Sequence, residues 1–177
     1  PHFCALDSTK DFSLSRESLL AALKPNTRAV VVCTPANPSG KMWSLEELTV
    51  LSEVAEERDL LVITDEIYEY YRYDDRPPIS PSTVGNLKNR SVTLMGLSKT
   101  FSITGWRLGY AVASKEIAHS LMLVNDLFYI CAPTPLQHGV AEGFKVPASE
   151  FDEMRTHFQK QRERICGALD KAGLTPM

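Results

Sequence analysis

No run of apolar residues in this 177-residue sequence approaches a membrane-crossing length, and neither sign of charge gathers into a block. A helical span needs about 20 consecutive apolar residues, so none is expected. Lys and Arg number 19 against 22 Asp and Glu, a formal net charge of -3. That balance gives no electrostatic footprint for nucleic acid or an anionic membrane, and the expected partners are small molecules and protein. The four cysteines, Cys4, Cys33, Cys131 and Cys166, are far apart and form no CxxC pair, which removes the signal for a zinc site or a disulfide framework. No basic-then-apolar leader opens the sequence, and a reducing cytoplasm is the expected compartment. His2, His119, His138 and His157 lack metal-ligand spacing, so no metal is assigned.

Several phosphate and nucleophile motifs are missing as well. Ser98 stands before Lys99-Thr100 where a P-loop requires glycine, and no GxGxxG follows a strand. An SxxK hydrolase would need serine at position 96, which is Gly96.

What is present is an alternation of strands and helices. With 44% hydrophobic and 23% charged residues, the chain can enclose one full core but not a second large domain. Arg28 to Cys33 predicts a strand, and Thr34-Pro35-Ala36-Asn37-Pro38-Ser39-Gly40 predicts a loop. Ser44 with Glu47 forms a capping box, and Leu45, Leu48, Leu51, Val54 and Ala55 recur at helical spacing toward Arg58. Leu60 to Thr64 is the next strand and ends at Asp65. Strands are also predicted for Val92–Met95 and Leu108–Ala113, with Ser114 capping a helix to about Leu127. The proline-rich segment Arg76–Ser82 reads as a surface loop, Pro133 and Pro135 open a short helix to Gly143, and a long helix capped by Ser149 runs to about Lys171. The expected architecture is therefore α/β, a mostly parallel sheet with helices on both faces, ending in a long helix.

In such sheets ligands bind outside the carboxyl ends of the strands. Asn37, Asp65 with Tyr68, and Ser98 with Lys99 each follow a strand at that end. Singly, each has an ordinary reading: Lys99 an exposed lysine, Asp65 a cap or turn residue, Arg107 a surface ion-pair partner, Tyr68 rim packing, Asn37 a turn residue. Together their chemistry is complementary to one molecule. An amine in a partly desolvated cleft, Lys99, suits an aldehyde with which it forms a Schiff base. Asp65, behind an apolar strand, asks for a cationic or donor partner such as a protonated ring nitrogen. Tyr68 and Asn37 suit a ring oxygen, and Arg107 with Ser98 suits a phosphate dianion. Pyridoxal 5'-phosphate (PLP) carries all of these groups. The other tyrosines of the run, Tyr70, Tyr71 and Tyr73, read as packing.

Asn37-Pro38-Ser39-Gly40, Asp65-Glu66-Ile67-Tyr68-Glu69, and Ser98-Lys99 with Gly105-Trp106-Arg107-Leu108-Gly109-Tyr110 occur in an order and strand context that resembles the class I/II aminotransferases among the fold-type I PLP enzymes. The similarity runs from about Phe12 to the C-terminus and covers the central part of the large domain. It implies that Lys99 binds the cofactor and then acts as the base, that Asp65 pairs the pyridine nitrogen, that Tyr68 and Asn37 bond the ring oxygen, and that Ser98 and Arg107 hold the phosphate. It also implies a cis bond at Asn37-Pro38 and a phosphate hydroxyl lost at Gly96, where relatives often have serine. Residues 1–177 are thus expected to be a partial PLP-binding large domain, with the helix at about 150–172 leading toward a small domain that is not in this sequence. The opening Pro1 and the closing Ala172-Gly173-Leu174-Thr175-Pro176-Met177 fit a piece of a longer chain. The resemblance implies an amino acid and a 2-oxo acid as substrates and a homodimeric parent. A PLP-dependent β-lyase of the same fold, or a non-catalytic remnant, would share these ring-binding residues.

Overall fold

A computed structural model describes residues 1–174; Thr175, Pro176 and Met177, part of the expected hand-over after the last helix, lie outside the described residues. Four strands form one sheet in the order β1 (Ala29–Cys33), β2 (Leu61–Asp65), β3 (Ser91–Gly96) and β4 (Gly109–Ala113). β1, β2 and β3 are parallel, and β4 runs antiparallel to β3. The α/β architecture is the one expected from the alternating pattern, with β4 as its one reversed strand.

Register decides which residues share an edge. Cys33 pairs with Asp65, Asp65 with Leu94, and Gly96 with Gly109. The carboxyl ends of the first three strands therefore meet the first residue of β4. Close approach at this corner, to backbone at one position and to a side chain at the other, explains two glycines. A Cβ on Gly109 would lie 2.8 Å from the Met95 carbonyl oxygen, and one on Gly96 would lie 2.5 Å from Ile67 Cδ1. The space a serine would need at position 96 is filled by Ile67.

Among the described residues there are seven α-helices: α1 (Arg16–Ala22), α2 (Leu45–Glu57), α3 (Leu87–Arg90), α4 (Leu97–Thr100), α5 (Lys115–Phe128), α6 (Thr134–Gly143) and α7 (Ala148–Lys171). The Ser44/Glu47 capping box starts α2 as its spacing predicts. Leu48, Leu51, Val54 and Ala55 are buried with Val32 and Val62 of the sheet, Leu14 and Leu19 of the amino-terminal segment, and Val84 and Leu87 before β3. Each such leucine or valine side chain taken out of water contributes about 1.5–3 kcal/mol, so this α2–sheet layer is the core. Side chains alternate along a strand, and Val31 and Leu94, which lie on the opposite face from Val32 and Thr93, remain exposed.

Two local expectations are corrected. The Arg76–Ser82 segment is not wholly a surface loop, because Pro81 is fully buried and begins a 3-10 turn over Pro81–Thr83. The last helix is not capped by Ser149: Pro147 is its N-cap, without a side-chain hydrogen bond. The fixed φ of proline already matches helix entry, so the helix starts ahead of the serine. α7 is fastened along its first four turns. Phe151 stacks on Tyr70 with centroids 4.2 Å apart, Phe158 packs on Tyr71 at 5.0 Å, and Arg162 makes a bidentate pair with Asp74 while lying over the Tyr73 ring. Tyr70, Tyr71 and Tyr73 are packing residues, as read from the sequence.

Candidate active site

Asn37 follows β1 on a turn closed by two backbone hydrogen bonds, from Ala36 N to the Lys41 carbonyl (2.9 Å) and from Gly40 N to the Ala36 carbonyl (2.8 Å). Gly40 takes a φ of 71°, which glycine adopts without steric cost. The Asn37-Pro38 bond is cis, and so is Thr34-Pro35, which no sequence signal singled out. From this turn Asn37 Nδ2 donates to Tyr68 Oη at 3.0 Å.

Asp65 closes β2, and its Oδ1 accepts from the Ile67 amide at 3.1 Å, turning the chain so that Tyr68 comes back over the sheet edge. The turn reading of Asp65 is thus realised with one oxygen of the carboxylate. Lys99 lies on α4, the single turn that begins directly after β3. Its Nζ is 5.9 Å from the centroid of the Tyr68 ring, and its carbonyl is 3.4 Å from Tyr71 Oη. Asn37, Tyr68 and Lys99 therefore form one connected group beside Asp65, although 31 residues separate each of Asn37 and Lys99 from Tyr68.

Ser98 and Arg107 are joined through a residue that the sequence reading did not assign. Thr104 Oγ1 approaches the Ser98 carbonyl at 3.4 Å, and Arg107 Nη1 donates to the Thr104 carbonyl at 3.1 Å. Arg107 sits in the left-handed region (φ 56°) at the end of a 3-10 turn over Thr104–Trp106. Its guanidinium is exposed and keeps further N–H groups for a ligand. No side-chain contact joins Ser98 to Arg107; backbone geometry places them at one end of the sheet.

Behind this edge lies a polar layer that was also missed. Thr64 and Glu66 point away from Asp65 by strand alternation. Glu66 Oε1 accepts from Thr64 Oγ1 at 2.8 Å and from Ser80 Oγ at 2.9 Å. Burial pushes the Glu66 carboxyl above the usual glutamate range, against the pull of these hydroxyls. Burial likewise raises Glu69, helped by the neighbouring Glu66 charge, and raises the Cys33 thiol, beside Asp65. Further from the edge, desolvation works on the Glu47 carboxyl in the upward direction. Hydrogen bonds from Lys41, Ser44 N and Leu14 N outweigh it and hold the carboxyl below the usual range. Among the described residues no group of three or more His, Cys, Asp or Glu side chains could hold a metal ion. Among them, too, no helix is long and apolar enough to cross a membrane.

A lysine, a carboxylate, a hydrogen-bonded phenol and a guanidinium at the carboxyl edge of a mostly parallel α/β sheet define a class. The sequence profile described as aminotransferase class I and II matches residues 1–177, and the chain belongs to that family. It is 31% identical over 178 residues to human kynurenine–oxoglutarate transaminase 3, covering 96% of this chain and 39% of that protein. It is 34% identical over 159 residues to an aspartate aminotransferase of Bacillus subtilis, covering 89% of this chain and 40% of that protein. The solved aromatic aminotransferase of Pyrococcus horikoshii superposes with a TM-score of 0.89 at 29% identity, over 95% of this chain and 46% of that one. The chain thus spans less than half the length of these relatives.

Proposed function

We propose that the full-length protein is a PLP-dependent aminotransferase that moves an amino group between an amino acid and a 2-oxo acid, and that residues 1–177 form part of its large domain. The helix at about 150–172 then leads toward a small domain. The observation that carries this reading is the group formed by Lys99, Tyr68 and Asn37 beside Asp65. Membership of the aminotransferase family supports it. A homodimeric state and a cytoplasmic location complete the reading and rest on the resemblance.

The donor set fits the cofactor group by group. Asn37 and Tyr68 present an amide and a phenol at one point, which suits a ring oxygen. Asp65 uses one oxygen on the Ile67 amide, and its other oxygen suits a protonated ring nitrogen. Arg107 offers a fork, and Ser98 a hydroxyl, for the phosphate. When bound, PLP supplies an electron sink for charge developing at the substrate's α-carbon. Lys99 is the amine placed to bind the aldehyde and, once released, the base that moves a proton at that α-carbon. Asp65 holds a proton on the ring nitrogen, while Asn37 and Tyr68 fix the tilt of the ring.

The full-length protein is titrated with PLP and then treated with borohydride. The expected result is a visible-range absorption band and an adduct that peptide mapping assigns to Lys99; Lys99→Ala removes both. Transfer of the amino group from an amino acid to 2-oxoglutarate completes the test. Absence of the band and adduct in wild-type protein refutes cofactor binding. Release of ammonia and pyruvate without net transfer would replace the transaminase reading by a lyase.

A further inference from the structure

Among the described residues one ion pair is buried at both ends. Lys41 Nζ lies 2.7 and 2.8 Å from the two oxygens of Glu47, with side chains 6% and 9% exposed. Glu47 is saturated. Its Oε1 also accepts from Leu14 N at 2.8 Å, and its Oε2 from Ser44 N at 2.9 Å. Such a pair adds little stability over a well-packed apolar replacement, but it holds a fixed geometry. What it holds here is one leg of the Asn37 turn. The Lys41 carbonyl accepts from Ala36 N, and the Lys41 amide donates to Ser39 Oγ at 3.3 Å. The other leg is held by Trp43, whose indole donates to the Cys33 carbonyl at 3.1 Å. Between the two legs Asn37 is exposed, and among the described residues its one side-chain tether is the bond to Tyr68.

We propose that Lys41 and Glu47 are positioning residues for the cofactor ring: the buried pair pins the Asn37 turn to the start of α2 and so sets where the Asn37 amide meets the ring oxygen. Neither residue touches the cofactor. The inference rests on the functional reading above, because it gives Asn37 a ligand to position.

A double-mutant cycle in the full-length protein separates positioning from general support. PLP dissociation constants are measured for wild type, Asn37→Ala, Lys41→Met/Glu47→Gln and the triple variant. Glutamine at 47 keeps an acceptor for one backbone amide and leaves no buried charge unpaired. In the wild-type background the paired substitution is expected to weaken PLP about tenfold, the worth of one well-placed hydrogen bond to a charged group. In the Asn37→Ala background it is expected to weaken PLP less than about twofold, because the interaction it acts through is gone. Equal weakening in both backgrounds, or none in either, overturns the proposal and leaves the functional reading intact. Wild-type protein that binds no PLP overturns both. If the paired variant does not fold, Lys41→Gln, which keeps a donor toward Glu47, is carried through the same cycle with the same outcomes.

Discussion

Glu66→Gln tests the charge state of the polar layer behind the site. Glu66 is 7% exposed, and one of its oxygens takes both the Thr64 and Ser80 hydroxyls. Its carboxyl is raised above the usual glutamate value of 4.5, chiefly by burial. A raised carboxyl binds its proton more tightly in the folded than in the unfolded chain. Between the ordinary value and the raised one, stability therefore falls as pH increases. A glutamine keeps the acceptor for both hydroxyls and has no proton to lose. The variant should match wild type below pH 4. Toward pH 8 it should become more stable, by about 1.4 kcal/mol for each tenfold by which the folded chain tightens the Glu66 proton, each kcal/mol being worth roughly 2–4 °C in Tm for a chain of this size. Thermal unfolding of both proteins across that range is the assay. A Glu66→Gln protein that loses stability relative to wild type as pH rises would show that the folded chain favours the ionised carboxylate, and the argument from burial would fail.

Two further outcomes follow from the corner where β3 meets β4. Gly109→Ala drives a Cβ against the Met95 carbonyl, a backbone atom that can move only with the strand. A cost of about 1–3 kcal/mol is expected, whereas Gly105→Ala, which meets nothing within 4 Å, should stay within about 0.5 kcal/mol of wild type; equal Tm values for the two would refute the close-approach reading. Arg107→Ala should weaken PLP about 10- to 100-fold, the loss of charge-assisted bonds to phosphate, and leave pyridoxal binding unchanged. Equal loss for both ligands in parallel titrations would take Arg107 away from the phosphate.

Elements with local signatures were legible in the sequence. Ser44 and Glu47 announce α2 because a capping box is a contact between near neighbours, and the valines of β1 announce a strand. Placing Asn37, Asp65, Tyr68 and Lys99 at one edge needed only topology, since parallel strands deliver their carboxyl ends to the same side. The reversed direction of β4 did not follow from composition; it is visible only in the pairing of Gly96 with Gly109. Lys41 was unreadable because Glu47 already had a complete local explanation as a cap, and its second role depends on a turn that folds back onto the helix. Thr104 escaped because its link to Arg107 runs through its backbone carbonyl and, among the described residues, its hydroxyl meets only the Ser98 carbonyl. Glu66 stood within a quoted motif, yet nothing local distinguishes a buried glutamate from a solvated one. Ser149 misled in the other direction, a good capping residue pre-empted by Pro147.

The reversal of β4 also divides the labour of the sheet. Because β4 starts where the parallel strands stop, the loops that carry the proposed site residues gather at one end. The opposite end keeps the approach to β1 through Lys24–Arg28, the short Arg58–Leu60 link into β2, α3 before β3, and Ser114 after β4. Substitutions, insertions or affinity tags placed at that end lie across the sheet from the proposed site residues.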